Sequence, residues 1–289
     1  MRAVVFAYHD VGVNCLKALL GAGLQVDLVV THQDDPSENV WFGSVAKLCA
    51  EKNIPCITPN ANELVGLIPR LQTLAPDYIF SFYYRFMIPE QILKCAKIAA
   101  LNMHGSLLPK YRGRAPVNWA ILHGETETGA TLHVMEAKPD AGDIVGQVAV
   151  SIGPDETATD VFGKVSQAAV SVIEKVLPSL ILGNIPRKPN ELQKGSYFGG
   201  RRPADGEIHW NQKAKQVHDL VRAVAPPYPG AFTAHEGKAM IVARTSLNGP
   251  FPANLTLEVC GIQVVDNRVF GICGDHQAVE ILEWFPASK

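Results

Sequence analysis

Asn102 and His104 stand two residues apart in the run Leu101-Asn102-Met103-His104-Gly105-Ser106-Leu107-Leu108-Pro109-Lys110-Tyr111-Arg112-Gly113-Arg114-Ala115-Pro116. Side chains alternate along an extended segment, so the two project to the same side. An amide N–H and an imidazole then share one patch of space. Acyl transfer needs such a pair: a donor for the oxyanion that develops, and a group that exchanges protons near neutral pH. A carboxylate follows the next predicted strand, as Asp140 in Ala137-Lys138-Pro139-Asp140-Ala141-Gly142-Asp143. Beside an imidazole it favours the charged ring and raises its pKa. Asn102, His104 and Asp140 are therefore the expected catalytic trio.

Other chemistries fit less well. Ser106 lies near His104 but not in a Gly-x-Ser-x-Gly elbow, so a serine hydrolase has little support. His104, His123 and His133 are at least ten residues apart and no His-Glu-x-x-His occurs, so no metal is expected. Phe6-Ala7-Tyr8-His9-Asp10-Val11-Gly12 lacks the Gly-x-Gly-x-x-Gly of a dinucleotide site. Lys110, Arg112 and Arg114 with Gly113 read either as solvated charges or as guanidinium groups aimed at anions beside the trio. Spacing alone does not choose between the two.

The elements that position these residues alternate. Strands are expected at 3–8, 25–31, 54–57, 78–82, 98–103, 131–135 and 145–150. Helices are expected at 13–22, 41–52, 63–74 and 157–182, with Pro178 ending or kinking the last. This is the pattern of an α/β, Rossmann-like, doubly wound and mostly parallel sheet. In such sheets ligands bind beyond the carboxyl ends of the strands. Tyr8 to Asp10, Phe82 to Ile88, Asn102 to Ser106 and Glu136 to Asp140 are expected to converge there. After one more helix, at 214–223, short strands are expected at 231–234, 239–244, 256–263, 268–273 and 278–284, suggesting a small OB-like β-barrel. The expected division is a catalytic domain over 1–188, a Gly-, Pro-, Lys- and Arg-rich linker over 189–206, and the β-barrel over 207–289.

Composition narrows the partners. The 289 residues are 47% hydrophobic and 19% charged, with a formal net charge of −2, which is ordinary for a globular chain. Without a broad basic field, nucleic acid is not an expected partner. No window approaches the roughly 18 apolar residues of a membrane helix, and no secretory leader is read at the N-terminus. The six cysteines form no Cys-x-x-Cys pair, which fits a reducing cytoplasm.

The combination Asn-x-His, then Ser-Leu-Leu-Pro-x-x-Arg-Gly, then Asp-x-Gly-Asp, here Asn102 to His104, Ser106 to Gly113 and Asp140 to Asp143, resembles the 10-formyltetrahydrofolate-dependent formyltransferase family. Val221-Arg222-Ala223 and Pro229-Gly230-Ala231-Phe232 resemble its C-terminal domain, so the likeness spans nearly the whole chain. Val4 to Asp10, Phe80 to Arg85, Leu107 to Pro116 and Gly124 to Gly129 look like the branch that formylates UDP-4-amino-4-deoxy-L-arabinose in lipid A modification, the formyltransferase half of bifunctional polymyxin-resistance enzymes.

The resemblance implies 10-formyltetrahydrofolate as cosubstrate, no metal, and Asn102, His104 and Asp140 as the catalytic trio. It implies folate contacts at Phe86, Met87, Ile88, Arg114, Glu136, Ala137, Lys138, Pro139 and Asp140. Tyr8 and Arg201 are expected on the sugar side. The implied partners are a nucleotide-linked amino sugar and either a second copy or a separate dehydrogenase–decarboxylase, since the dehydrogenase half of those enzymes is missing here. Phe86 departs from a His expected in that branch, and Gly199-Gly200 carries an extra Gly. Another nucleotide amino sugar or methionyl-tRNA are alternative acceptors. A non-catalytic folate-binding module is a reading of a different class.

Overall fold

An apolar run with no polar interruption belongs at the centre of a sheet covered on both faces. Val4 to Ala7 have no exposed surface and form most of β1 (Arg2–Ala7). The computed structural model describes residues 1–34 and 42–287. In chain order there follow α1 (His9–Gly21), β2 (Gln25–Val30), α2 (Val45–Lys52), β3 (Cys56–Ile57), α3 (Ile68–Leu74), β4 (Tyr78–Phe82), α4 (Glu90–Leu93), β5 (Ala99–His104), β6 (Arg112–Gly113), α5 (Pro116–Leu122), β7 (Glu127–Val134) and β8 (Ile144–Ser151). Next come α6 (Ala158–Ile181), β9 (Tyr197–Phe198), α7 (Ala214–Val224), β10 (Ala231–His235), β11 (Lys238–Ser246), β12 (Gly261–Val265), β13 (Arg268–Ile272) and β14 (Ala278–Pro286).

The chain divides into two units. The first comprises Met1–Gly113, Thr128–Val150 and Gly163–Tyr197. The second comprises Arg114–Glu127, Ser151–Phe162 and Phe198–Lys289. The first unit holds a seven-stranded sheet in the order β3-β2-β1-β4-β5-β7-β8. β3, β2, β1, β4 and β5 pair in parallel, while β7 runs antiparallel to β5. This is the Rossmann-like, mostly parallel sheet that the alternation predicts. Val4, Phe6, Leu28, Val30, Leu64, Leu71 and Ile79 fill one core cluster.

The second unit holds a curled five-stranded antiparallel sheet, β10-β11-β14-β13-β12, with β10 and β12 at its edges. α7 carries a buried ionic network. Arg222 and Lys215 both bond Asp219, and Arg222 Nη1 donates to the carbonyls of Gly153 and Glu156.

Several elements differ from their predicted bounds. The helix expected from 63 to 74 is a 3-10 turn over Ala61–Leu67 followed by α3. Pro69 cannot donate an N–H but suits a first helical turn, so it starts a new helix. Pro178 lies inside α6, which runs on to Ile181. β12 begins only at Gly261, whose φ of 134° is open to glycine and turns the chain into the strand. α1 begins at His9, directly after the strand, rather than at residue 13. Residue 41, the predicted start of the second helix, is outside the described residues. Among the described residues no helix is long and apolar enough to cross a membrane.

Candidate active site

Period-two alternation does what the sequence predicts at the end of β5. The side chains of Asn102 and His104 lie on one face, and each has a partner across the antiparallel pairing. Asn102 is opposite His133 and His104 is opposite Thr131. Asn102 Nδ2 lies 3.0 Å from His133 Nε2. His133 Nδ1 lies 2.8 Å from the Val134 carbonyl and donates to it, which leaves Nε2 to accept from the amide. Asn102 keeps its second amide hydrogen.

Asp140 completes the trio. Its Oδ1 lies 3.5 Å from His104 Nδ1 and 3.4 Å from His133 Nε2. Its Oδ2 accepts from the Gly113 N–H at 2.8 Å. His104 Nε2 donates to the Tyr111 carbonyl at 2.7 Å, a bond that assigns the neutral ring its Nε2–H tautomer. Both imidazoles are buried.

The electrostatics correct one expectation. Burial pushes the His104 pKa below its ordinary 6.5, and His133 adds to this. The Asp140 charge and the Tyr111 carbonyl pull it back only in part. The ring is therefore more readily neutral than a free histidine, not more readily charged, because desolvation outweighs the carboxylate. Burial also works against the Asp140 carboxylate. The two imidazoles and the Gly113 N–H outweigh it and hold the carboxyl at about 2. At neutral pH the pair is a charged carboxylate against a neutral ring.

The chain reaches Asp140 by an unexpected route. Because β7 is antiparallel to β5, it delivers Met135 to the carbonyl of Ala100, at the amino end of β5. Glu136 and Ala137 line a cleft there with Glu90, Leu93, Lys94 and Ala100. Glu136, Ala137 and Lys138 are exposed, and Pro139 is half-buried. The turn then doubles back, and Asp140, at φ 51°, comes to His104. The convergence at the carboxyl ends thus holds for Asp140 and not for Glu136 or Ala137.

Segment 188–196 fixes both halves of the trio. Lys188 exchanges backbone bonds with Ile144. Asn190 Nδ2 donates to the carbonyls of Asp140 (3.1 Å) and Gly142 (3.2 Å). Ser196 Oγ accepts from the Tyr111 N–H, and the Ser196 carbonyl accepts from the Arg112 N–H. A Cβ at Gly195 would overlap the Pro109 carbonyl, so the close approach requires glycine. Ser106 is fully buried and its hydroxyl donates to the Lys110 carbonyl, which gives it a loop-holding role rather than a nucleophile's.

The remaining expected residues are divided between the two units. Tyr8 is buried at the end of β1. Its ring meets His32 and Phe42 edge-on, with the Arg85 guanidinium 4.7 Å above it. Phe86 meets His32 and Tyr84 edge-on, Ile88 packs against the core, and Met87 is 66% exposed. Arg114 and Arg201 belong to the second unit. Arg114 is exposed and its N–H donates to the Phe198 carbonyl. Arg201 covers the Trp119 ring at 4.9 Å. His133, Asn190 and Ser196 escaped sequence reasoning. For His133 the available signal was the alternation of Thr131-Leu132-His133. Among the described residues, no group of three or more His, Cys, Asp or Glu is arranged to hold a metal ion.

Comparison with known proteins adds to this geometry. The formyl transferase family profile matches residues 1–177 and its C-terminal domain profile matches residues 201–289. The fold matches an N-formyltransferase from Helicobacter canadensis, solved with folinic acid and dTDP-3-aminofucose, at TM-score 0.77 and 19% identity over 97% of this chain and 98% of that one. It matches WlaRD, a sugar 3N-formyl transferase solved with dTDP and 5-N-formyl-THF, at TM-score 0.74 and 20% identity over 100% and 98%. A 4-N formyltransferase from Francisella tularensis matches at TM-score 0.67 and 25% identity over 84% and 96%.

Proposed function

The chain belongs to the formyl transferase family, and we propose that it moves a formyl group from 10-formyltetrahydrofolate to the amine of a nucleotide-linked sugar, UDP-4-amino-4-deoxy-L-arabinose being the specific acceptor. One observation carries the chemistry: a spare amide N–H on Asn102 and a neutral, buried imidazole on His104 share one face of β5, with the Asp140 carboxylate against the ring. The acceptor class rests on the aminosugar and dTDP complexes of the structures with the same fold. The particular sugar rests on the sequence likeness alone.

In this reading the neutral amine attacks the formyl carbon. Asn102 donates to the oxygen as it becomes an oxyanion, and such a donor is worth about 3–4 kcal/mol. The proton lost by the attacking nitrogen passes to His104, where it comes to rest on Nδ1 facing Asp140 Oδ1. The C–N10 bond then breaks and the proton follows the electron pair to the folate nitrogen. A ring that starts neutral can take that proton, and the adjacent carboxylate stabilises it once charged. By the sequence likeness alone, Phe86 to Ile88, Arg114 and residues 136–140 are the proposed folate contacts. On the same likeness, Tyr8 and Arg201 are the proposed sugar-side residues.

The test is to incubate purified protein with 10-formyltetrahydrofolate and a panel of UDP- and dTDP-linked amino sugars, with methionyl-tRNA alongside. Mass spectrometry identifies the acceptor that gains one formyl group. The expected product is a formylated nucleotide sugar. Formylated methionyl-tRNA alone, or folate binding with no product, would refute the proposal.

A further inference from the structure

Among the described residues two arginines are buried, and the fold treats them differently. Arg222, 4% exposed, is saturated: Nε and Nη2 bond Asp219, and Nη1 bonds two carbonyls. Arg112, 9% exposed, has a buried Nε with no hydrogen-bond partner. No carboxylate pairs with its guanidinium among the described residues. Arginine stays charged at any pH a protein meets, and a buried charge without an opposite partner is costly.

Its neighbours in the chain tie its backbone to the candidate trio. The Tyr111 carbonyl holds His104 Nε2, and the Gly113 N–H holds Asp140 Oδ2. Arg112 lies between them, with its own N–H tied to the Ser196 carbonyl. β6 is thus fixed by backbone bonds on both sides, and the backbone that carries Arg112 is anchored to His104 and Asp140.

We propose that Arg112 binds a phosphate of the acceptor's diphosphate and so sets the distance between the sugar amine and the trio. The reactants offer three anions. The formyl oxyanion is served by Asn102. The folate carboxylates are kept from N10 by an aminobenzoyl ring and an amide. Only the width of one sugar ring separates the acceptor amine from the first phosphate, and a planar guanidinium matches two phosphate oxygens at once. This proposal rests on the reading of the acceptor as a nucleotide sugar.

Titration calorimetry of the wild type, Arg112→Gln and Arg112→Lys with inorganic pyrophosphate, UDP, dTDP, uridine, thymidine and 5-formyltetrahydrofolate tests it. Arg112→Gln is expected to weaken binding of the diphosphates about 10- to 100-fold, with Arg112→Lys intermediate. Nucleoside and folate binding are expected to stay unchanged in both. Unchanged diphosphate affinity in a folded Arg112→Gln protein overturns the proposal, as does a wild type that binds no diphosphate or an equal loss of folate affinity. If Arg112→Gln does not fold, Arg112→Lys decides by the same comparison. The acceptor panel is read separately. Arginine-dependent diphosphate binding without any formylated sugar would overturn the acceptor reading, and with it the positioning role, while leaving Arg112 as a diphosphate ligand.

Discussion

Asn102 and His133 face each other across β5 and β7, the amide nitrogen 3.0 Å from the ring Nε2, on two residues that the strand register pairs directly. The Val134 carbonyl fixes the ring's tautomer, and the ring in turn fixes the amide's orientation. His133→Ala frees Asn102 to rotate. Turnover is expected to fall roughly 10- to 100-fold, as for other small losses of alignment, with KM for both substrates little changed. His133→Gln keeps an amide acceptor and is expected to recover part of the rate. Steady-state kinetics on the two variants check this, and equal activity in all three proteins would refute it.

Asn102→Ala and His104→Ala remove the proposed oxyanion donor and proton acceptor themselves. Each is expected to cost a hundredfold or more in kcat, on the order of 3 kcal/mol of barrier. Neither carries the core, so circular dichroism and thermal midpoints are expected to match the wild type. Near-normal turnover in a folded variant would remove that residue from the mechanism.

The pH profile follows from burial. His104 has a pKa below 6.5 in the fold, so it is neutral above that value and activity is level there. The acid limb of kcat/KM is expected below pH 6.5. Asp140, held at about 2, stays ionised across this range. Its depressed pKa gives stability above its ordinary 3.8, lost as pH falls through the interval down to about 2. For His104 the direction is the same: the fold prefers the deprotonated, neutral ring, so stability is also lost as pH falls below 6.5. The groups facing this ring are Asp140, His133 and the Tyr111 carbonyl, and of these Asp140 opposes the depression most. Asp140→Asn should therefore move the acid limb to lower pH while lowering activity. Movement to higher pH would contradict the electrostatic account.

Asn190 is expected to act on the proposed reaction through Asp140. Asn190→Ala removes two donors from the turn carrying that carboxylate. A loss of roughly tenfold in kcat is expected, with folate affinity preserved and the acid limb shifted downward, as in Asp140→Asn but less. Asn190→Gln is expected to restore part of the rate. Gly195→Ala should be worse, because its Cβ meets the Pro109 carbonyl, which cannot move aside. A soluble Gly195→Ala enzyme with normal kcat would show that the loop tolerates displacement.

In the second unit, Asp219 neutralises Arg222 and Lys215, and both it and Arg222 are buried. Asp219→Ala strands a buried guanidinium, with an expected cost of about 3–5 kcal/mol. Urea titration measures it, and a change below 1 kcal/mol would mean that water reaches Arg222.

The trio was legible because its signals are local. Alternation puts Asn102 beside His104, and a turn composition marks Asp140. The parallel strands were legible for a similar reason: Val4 to Ala7 are apolar without a break, and Tyr78 to Phe82 are interrupted only by the buried Ser81. What was not legible is direction and distance. Nothing in 127–134 says that this strand runs against its neighbour, and that reversal alone puts His133 opposite Asn102 and Glu136 by Ala100. Nor does a Gly-, Pro- and Lys-rich stretch reveal that Asn190 reaches back fifty residues to a carbonyl. Exposed and packed coils share one composition. Burial of His104 against carbon reversed the expected sign of its pKa, a balance no spacing encodes.

The bonds from 188–196 to Ile144, Asp140 and Tyr111 carry a practical corollary for chimaeras. A graft cut just after the long helix would import the three side chains of the proposed trio and leave behind the segment that clasps their loops. Recombinants joined beyond Tyr197 would inherit donor, base, acid and clasp as one inseparable cassette.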